Sequence, residues 1–154
     1  KIQETIIATK NQQLLRVGIL TINNNKMNRE KLIELYKHYE LTSSDIFKHQ
    51  HFTIITRSGI DKIQAKEKIF IDYEVIKCET NFAVVKANAS KDGAKIQTFG
   101  SALKGDSFKD SNTNSWYVME MAEKRSMSRA VLKLTGFYEL GVFGEDESED
   151  FKRK

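Results

Sequence analysis

The sequence predicts an α+β domain: an antiparallel β-meander packed against a long C-terminal helix (a β-β-β-α core), with an additional helix and strand ahead of it. Three observations predict this. The segments Ile69–Cys78, Phe82–Ala89 and Ala94–Ala102 alternate apolar with polar residues, and Lys91-Asp92-Gly93 is a hairpin turn signal. Trp116–Thr135 is rich in helix formers and is followed by Gly136, where a C-cap glycine belongs. The chain has 154 residues, 40% hydrophobic and 30% charged, which is one globular domain's worth.

The elements follow in order. Ile6-Ile7-Ala8 and Leu14–Leu20 are apolar, the second being a short strand or the end of a helix. Asn23-Asn24-Asn25 reads as a turn or loop, because asparagine tolerates left-handed backbone and competes for main-chain bonds. From Asn28 as N-cap, Leu32, Leu35, Tyr36 and Tyr39 recur at helical spacing. Leu41–Asp45 is a polar break that caps a turn carrying Ile46 and Phe47, and His51–Thr56 is a short strand. Ser58 caps a helix over 59–68, with Asp61 three residues on and Ile60 and Ile63 on its buried side. In the meander Ile69, Ile71, Tyr73 and Val75 mark one strand's apolar side, Phe82 and Val84 the next, and Ile96 and Phe99 the third. Tyr73 and Phe82 are expected in the core. Lys104–Ser115 is a polar loop, Asn114 or Ser115 caps the last helix, and Phe108, Trp116 and Tyr117 are expected to be exposed. The domain spans 1–144, with 1–40 as an N-terminal extension and 145–154 as a charged, solvated tail.

Charge points to partners. Lysine and arginine number 25 against 21 acids, a balance of +4. Residues 145–150 (EDESED) hold five of those acids, and without them the same cations face 16, a balance of +9. A basic body suggests a polyanion, nucleic acid first; a solvated lysine-rich surface is the alternative. No apolar run approaches the ~20 residues that cross a bilayer. The lack of a basic-then-apolar leader and the single Cys78 lead to the expectation of a reducing, intracellular compartment.

On the last helix Arg125, Arg129 and Lys133 recur every four residues as a basic ridge, beside a line of small residues, Ala122, Ser126 and Ala130. The small line lets the helix backbone approach a sheet, with Met119, Met127, Val131 and Leu134 facing the core. The ridge then lies at the rim, placed to hold a phosphate backbone; a solvated face partly neutralised by Glu120 and Glu123 is the other reading. Lys77, Lys86, Lys91 and Lys95 lie on or near the strands, and Arg57, Lys62, Lys66 and Lys68 surround the preceding helix. Basic grooves interleaved with aromatics are how single strands are held.

Catalytic patterns are weak. Gly100–Ser107 has the glycine spacing of a phosphate loop, but Asp106 stands where the phosphate-binding lysine must be. His49 and His51 form an H-x-H pair without a matched second pair, below a structural zinc site's ligand count. No Asp-x-Lys or Glu-x-Lys occurs on a candidate strand, although Asp72 and Glu74 share a strand face and leave a metal-dependent nuclease as a rival reading. Cys78 has no evident base beside it and reads as a small buried apolar residue.

The run Met121–Ala130 (MAEKRSMSRA) followed by Leu132–Tyr138 (LKLTGFY) resembles the A-x-x-R-A-x-x-R-A helix of phage single-strand annealing proteins. These are the Erf and Sak types, distantly similar to the eukaryotic annealase Rad fifty-two. The acidic Gly144-Glu145-Asp146-Glu147 after the helix, and upstream Leu41-Thr42, Asp45-Ile46 and Ile55–Ile63, resemble the same domain, so the match covers about Leu41 to Asp150. Ser126 replaces the usual alanine, and the first forty residues match nothing in the family. The resemblance implies a β-β-β-α core, rings or filaments of identical subunits, and single-stranded DNA held in a positive groove and annealed without nucleotide hydrolysis. It places Arg125, Arg129 and Lys133 in the groove, with Arg57 and Lys62 as companions. The expectation is a non-enzymatic, cofactor-free, single-stranded-DNA-binding protein of phage-type recombination or repair in a bacterial cytoplasm. A phage exonuclease or a host single-strand-binding protein would be its further partners. A module that protects strands without annealing them is the nearest rival.

Overall fold

The first unit of the chain, through Lys37, is a single helix, and a second unit runs from His38. The structure, a computed structural model, describes residues 2–107 and 109–148. Helix α1 (Ile2–His38) runs 37 residues without interruption. The loop expected at Asn23–Asn25 and the helix start expected at Asn28 are therefore both overturned, and Leu14–Leu20 is helical. Each asparagine costs a few tenths of a kcal/mol relative to better helix formers, while breaking the helix would forfeit several main-chain bonds and require a new nucleus.

The second unit is α+β. Strands β1 (Ile46–His49) and β2 (Phe52–Ile55) form a hairpin, so Ile46 and Phe47 open a strand where a turn was expected. Helix α2 (Arg57–Glu67) follows, and its cap is Thr56, whose side chain accepts from the Gly59 N–H at 3.3 Å. Ser58, the expected cap, instead donates to Asp45 at 3.3 Å, and Asp61 pairs with Arg57 at 3.2 Å.

Asp45 is the polar anchor of this corner. It is 1% exposed and accepts from the Thr42 N–H (2.9 Å), the Thr42 hydroxyl (3.0 Å), Ser58, and Lys62 Nζ at 2.7 Å. The bond from Lys62, followed by those from Thr42, holds its carboxyl at about 2, below the ordinary 3.8. A carboxyl depressed on folding stabilises fully above its unfolded value, and that contribution is lost as pH falls from about 4 toward the folded value near 2. The urea midpoint is therefore expected to fall over that window, and Asp45→Asn should remove this part of the acid limb while lowering stability at neutral pH.

Strands β3 (Phe70–Cys78), β4 (Phe82–Lys91) and β5 (Ala94–Leu103) form the expected antiparallel meander in that order. The β4–β5 turn uses Asp92 and Gly93, both at positive φ (49° and 84°) as a tight hairpin requires. Helix α3 (Val118–Leu134) lies across β4 and β5. The face it covers is built of small residues: Ala83 opposite Ala102, Val85 opposite Gly100, and Ala87 opposite Thr98. Ala122, Ser126 and Ala130 meet that face and are fully buried, as the line of small residues on α3 predicts. The parity expected for β4 is reversed. Phe82 and Val84 lie on the side away from α3, because the close approach of α3 admits alanine and glycine where phenylalanine would not fit. Strand β3 extends past the helix: from Asp72 to Cys78 every residue is exposed, including Tyr73 (36%) and Val75 (55%). Cys78, expected to be buried, is exposed as well.

On its other side α3 meets β6 (Val142–Gly144), which pairs parallel with β2. A Cβ on Gly144 would come within 2.8 Å of the Ser128 side chain, so this contact too is close. Ile54, Ile55, Ile60, Ile63, Val131 and Phe137 are fully buried in this half, and the Tyr39 and Phe137 rings stand 5.6 Å apart. The solvated tail expected from residue 145 begins later: Glu145–Glu147 form a 3-10 turn in which Glu147 is 3% exposed. Glu149, Asp150 and the rest of the tail lie outside the described residues, as does Phe108. Among the described residues no helix is long and apolar enough to cross a membrane.

Candidate nucleic-acid interface

The ridge on α3 begins with Arg125, which is 2% exposed. Its three nitrogens donate to three main-chain carbonyls: Nε to Asp146 (2.9 Å), Nη1 to Ser101 (2.7 Å) and Nη2 to Asn112 (2.6 Å). Arg129 donates through Nη1 to the Phe99 carbonyl at 2.9 Å and through Nε to the Glu147 carboxylate. Asn112 completes the set, exchanging bonds with Leu103 through its side-chain oxygen (2.6 Å) and its main-chain N–H (2.9 Å). Phe99, Ser101 and Leu103 alternate along β5 with the residues that face β4, so these groups point out of the sheet's free edge. The two arginines and Asn112 therefore close that edge as a neighbouring strand would. Arg125 and Arg129, placed by the resemblance in a DNA groove, are engaged by the fold. The physical reason is that α3 is covered on two sides, which leaves Arg125 no path to solvent.

Lys133 is exposed, its Nζ 5.2 Å from the Tyr138 ring centroid. Arg57 is shared between Asp61 and Asp146 (3.8 Å), and Lys62 belongs to buried Asp45. Lys86 pairs with Glu74 across the strands. Lys91 meets Glu67 at 2.8 Å, and Tyr39 adds a 2.7 Å bond to the same carboxylate. Those two partners hold Glu67 below the usual carboxylate range, and Glu67 in turn raises Lys91. Lys95 is exposed and has no ion pair among the described residues. The predicted cations thus do not form one row. Most are spent on carboxylates, and Lys95 and Lys133 face water.

What does gather is the sheet face turned away from α3. Cross-strand register puts Phe70, Ser90 and Lys95 in one row, Asp72, Asn88 and Gln97 in the next, and Glu74, Lys86 and Phe99 in a third. Phe70 (67% exposed) and Phe99 (49%) stand in the outer rows, and the first two rows line an open recess of about 500 Å³. Elsewhere Trp116 (70%) and Tyr117 (73%) are exposed as expected, with Lys104 Nζ 4.9 Å from the Trp116 ring. Aromatic faces beside cations and amides are the parts from which single-strand platforms are made.

Neither the comparison with protein-family models nor searches of curated proteins and of solved structures finds a match to this chain. Function here rests on geometry.

The rival chemistries gain little from that geometry. Gly100–Leu103, the start of the phosphate-loop spacing, is strand, with Gly100 buried against α3. Asp72 and Glu74 do share the open face, but no group of three potential metal ligands occurs among the described residues. Sequence reasoning missed Glu147, Asp146 and Asn112. The acidic run was visible, yet pairing it with the arginines requires knowing that the chain returns along α3.

Proposed function

We propose that the protein binds single-stranded DNA without reading its sequence and anneals complementary strands as an assembly of identical subunits, with no nucleotide hydrolysis. The helix motif and the β-β-β-α order of the core support the family reading. The observation that carries it is the uncovered sheet face, where Phe70 and Phe99 are exposed beside Lys95 and Lys86. Phosphates would meet Lys95, and Lys86 once it leaves Glu74. Bases would stack on the rings through faces that every base possesses. The contact thus moves from the α3 ridge to the sheet, with Lys133 the remaining ridge cation open to solvent. Such a site discriminates little between sequences, which is what pairing any two complementary strands needs.

The test is fluorescence anisotropy with labelled oligonucleotides of unrelated sequence across a salt series, followed by annealing of two complementary strands. Lys95→Ala should weaken binding of every sequence alike and reduce the salt slope by about one. Phe99→Ala should weaken it by about 5- to 160-fold, the range for loss of one stacked base. Absence of any affinity at low salt overturns the proposal. Binding without annealing would reduce it to strand protection.

A further inference from the structure

We propose that α1 is a self-association helix, pairing antiparallel with α1 of a second copy through a seam centred on Gly18. The inference is independent of DNA binding. Leu14, Leu15, Ile19 and Ile22 are 63%, 65%, 57% and 69% exposed, and they surround Gly18 in an open groove. At 100° per residue these five positions share one arc ~140° wide. Leu15, Gly18, Ile19 and Ile22 are spaced i, i+3, i+4 and i+7, the four corners that receive one side chain of a facing helix. A Cβ added at Gly18 meets nothing within 4 Å, so the hole is open at its Gly18 corner.

Propensity alone leaves an isolated helix marginal in water, and these exposed apolar side chains are the surface whose burial would sustain it. The choice of occupant follows from charge and polarity. Between Asn11 and Asn25 the only charged residue is Arg16, ~130° from the middle of the arc, so two copies can meet there without like charges in contact. A bilayer surface fits less well, because Asn25 and Arg29 continue the same line along the helix and would be driven into the acyl region. Direction follows from Arg29. A parallel pair would set Arg29 against its counterpart. An antiparallel pair crossing at Gly18 separates the two by about 33 Å, at 1.5 Å rise per residue, several Debye lengths in physiological salt.

The experiment uses the full chain. Sedimentation velocity should show concentration-dependent association of the wild type, and Leu15→Glu with Ile19→Glu should shift the population at least tenfold toward the smaller species. Far-ultraviolet circular dichroism should fall in parallel as the unpaired helix frays. Spin labels on Arg29→Cys in a Cys78→Ser background should give an inter-label distance of about 33 Å. A mass distribution unchanged by the double substitution overturns the proposal, as does a monomeric wild type that partitions onto anionic vesicles. A label distance below about 20 Å overturns the antiparallel arrangement.

Discussion

Arg125→Ala is expected to unfold most of the protein from His38 onward, not merely to weaken a binding surface. The substitution removes three hydrogen bonds from a charged, buried donor, strands the carbonyls of Asn112 and Asp146, and leaves that of Ser101 only the Asn112 side-chain amide at 3.3 Å. Charge-assisted bonds of this kind contribute about 1.5–3 kcal/mol each before coupling, and breaking a buried polar network by removing one member costs roughly 3–5 kcal/mol. Domains of this size are stable by about 5–15 kcal/mol, so the loss is a large fraction of the total. Arg125→Lys keeps the charge but replaces the planar fork with a single ammonium, which cannot reach three carbonyls at once. It should fall between wild type and alanine. Urea denaturation followed by circular dichroism measures the series. An Arg125→Ala protein with an unchanged midpoint would return the residue to the surface and to the role that the resemblance gave it.

That result bears on how to read the helix motif. Arginines at i and i+4 beside small residues look like a cationic ridge because helical periodicity reports only which side chains share a stripe. It does not report what lies opposite. Here the stripe faces the free edge of β5, whose outward carbonyls need donors as much as a phosphate would. The meander and α3 were legible because alternation, a turn dipeptide and helix propensity are local signals. The inward face of β4 was not, since alternation looks for large apolar residues and the packed row is Ala83, Val85, Ala87 and Ala89. Strand β6 was hidden for another reason: three residues pair in parallel with a strand far upstream, and no local pattern announces such a partner. In α1 the Asn23–Asn25 triplet carried a true local preference for turns that the surrounding helix overrides. Of the candidate site, Lys95 and Phe99 could be named from sequence as a strand cation and a strand aromatic. That both stand on the uncovered face follows only from the register.

Gly100→Ala should be nearly as damaging as loss of Arg125, although it adds a single carbon. A Cβ at this position would lie 2.1 Å from the Ala122 carbonyl oxygen, 2.5 Å from the Ser126 nitrogen and 3.0 Å from the Arg125 Cβ. The first two are main-chain atoms of α3, so no side-chain rotation relieves them; the helix must lift off β5. Lifting it opens the contact of Ala122 and Ser126 with the sheet, stretches the 2.6 Å bond from the Thr98 hydroxyl to the Ser126 carbonyl, and draws Arg125 and Arg129 away from the β5 edge. Overpacking usually costs about 1–3 kcal/mol, and a backbone-on-backbone clash belongs at or above the top of that range. Gly100→Val should abolish folding of the unit. The control is Ser101→Ala, one residue along and exposed on the opposite face, which should move the urea midpoint by less than about 0.5 kcal/mol equivalent. If Gly100→Ala and Ser101→Ala proved equally mild, α3 would not sit against β5 at van der Waals distance. The edge-closing role of the two arginines would then lose its geometric basis.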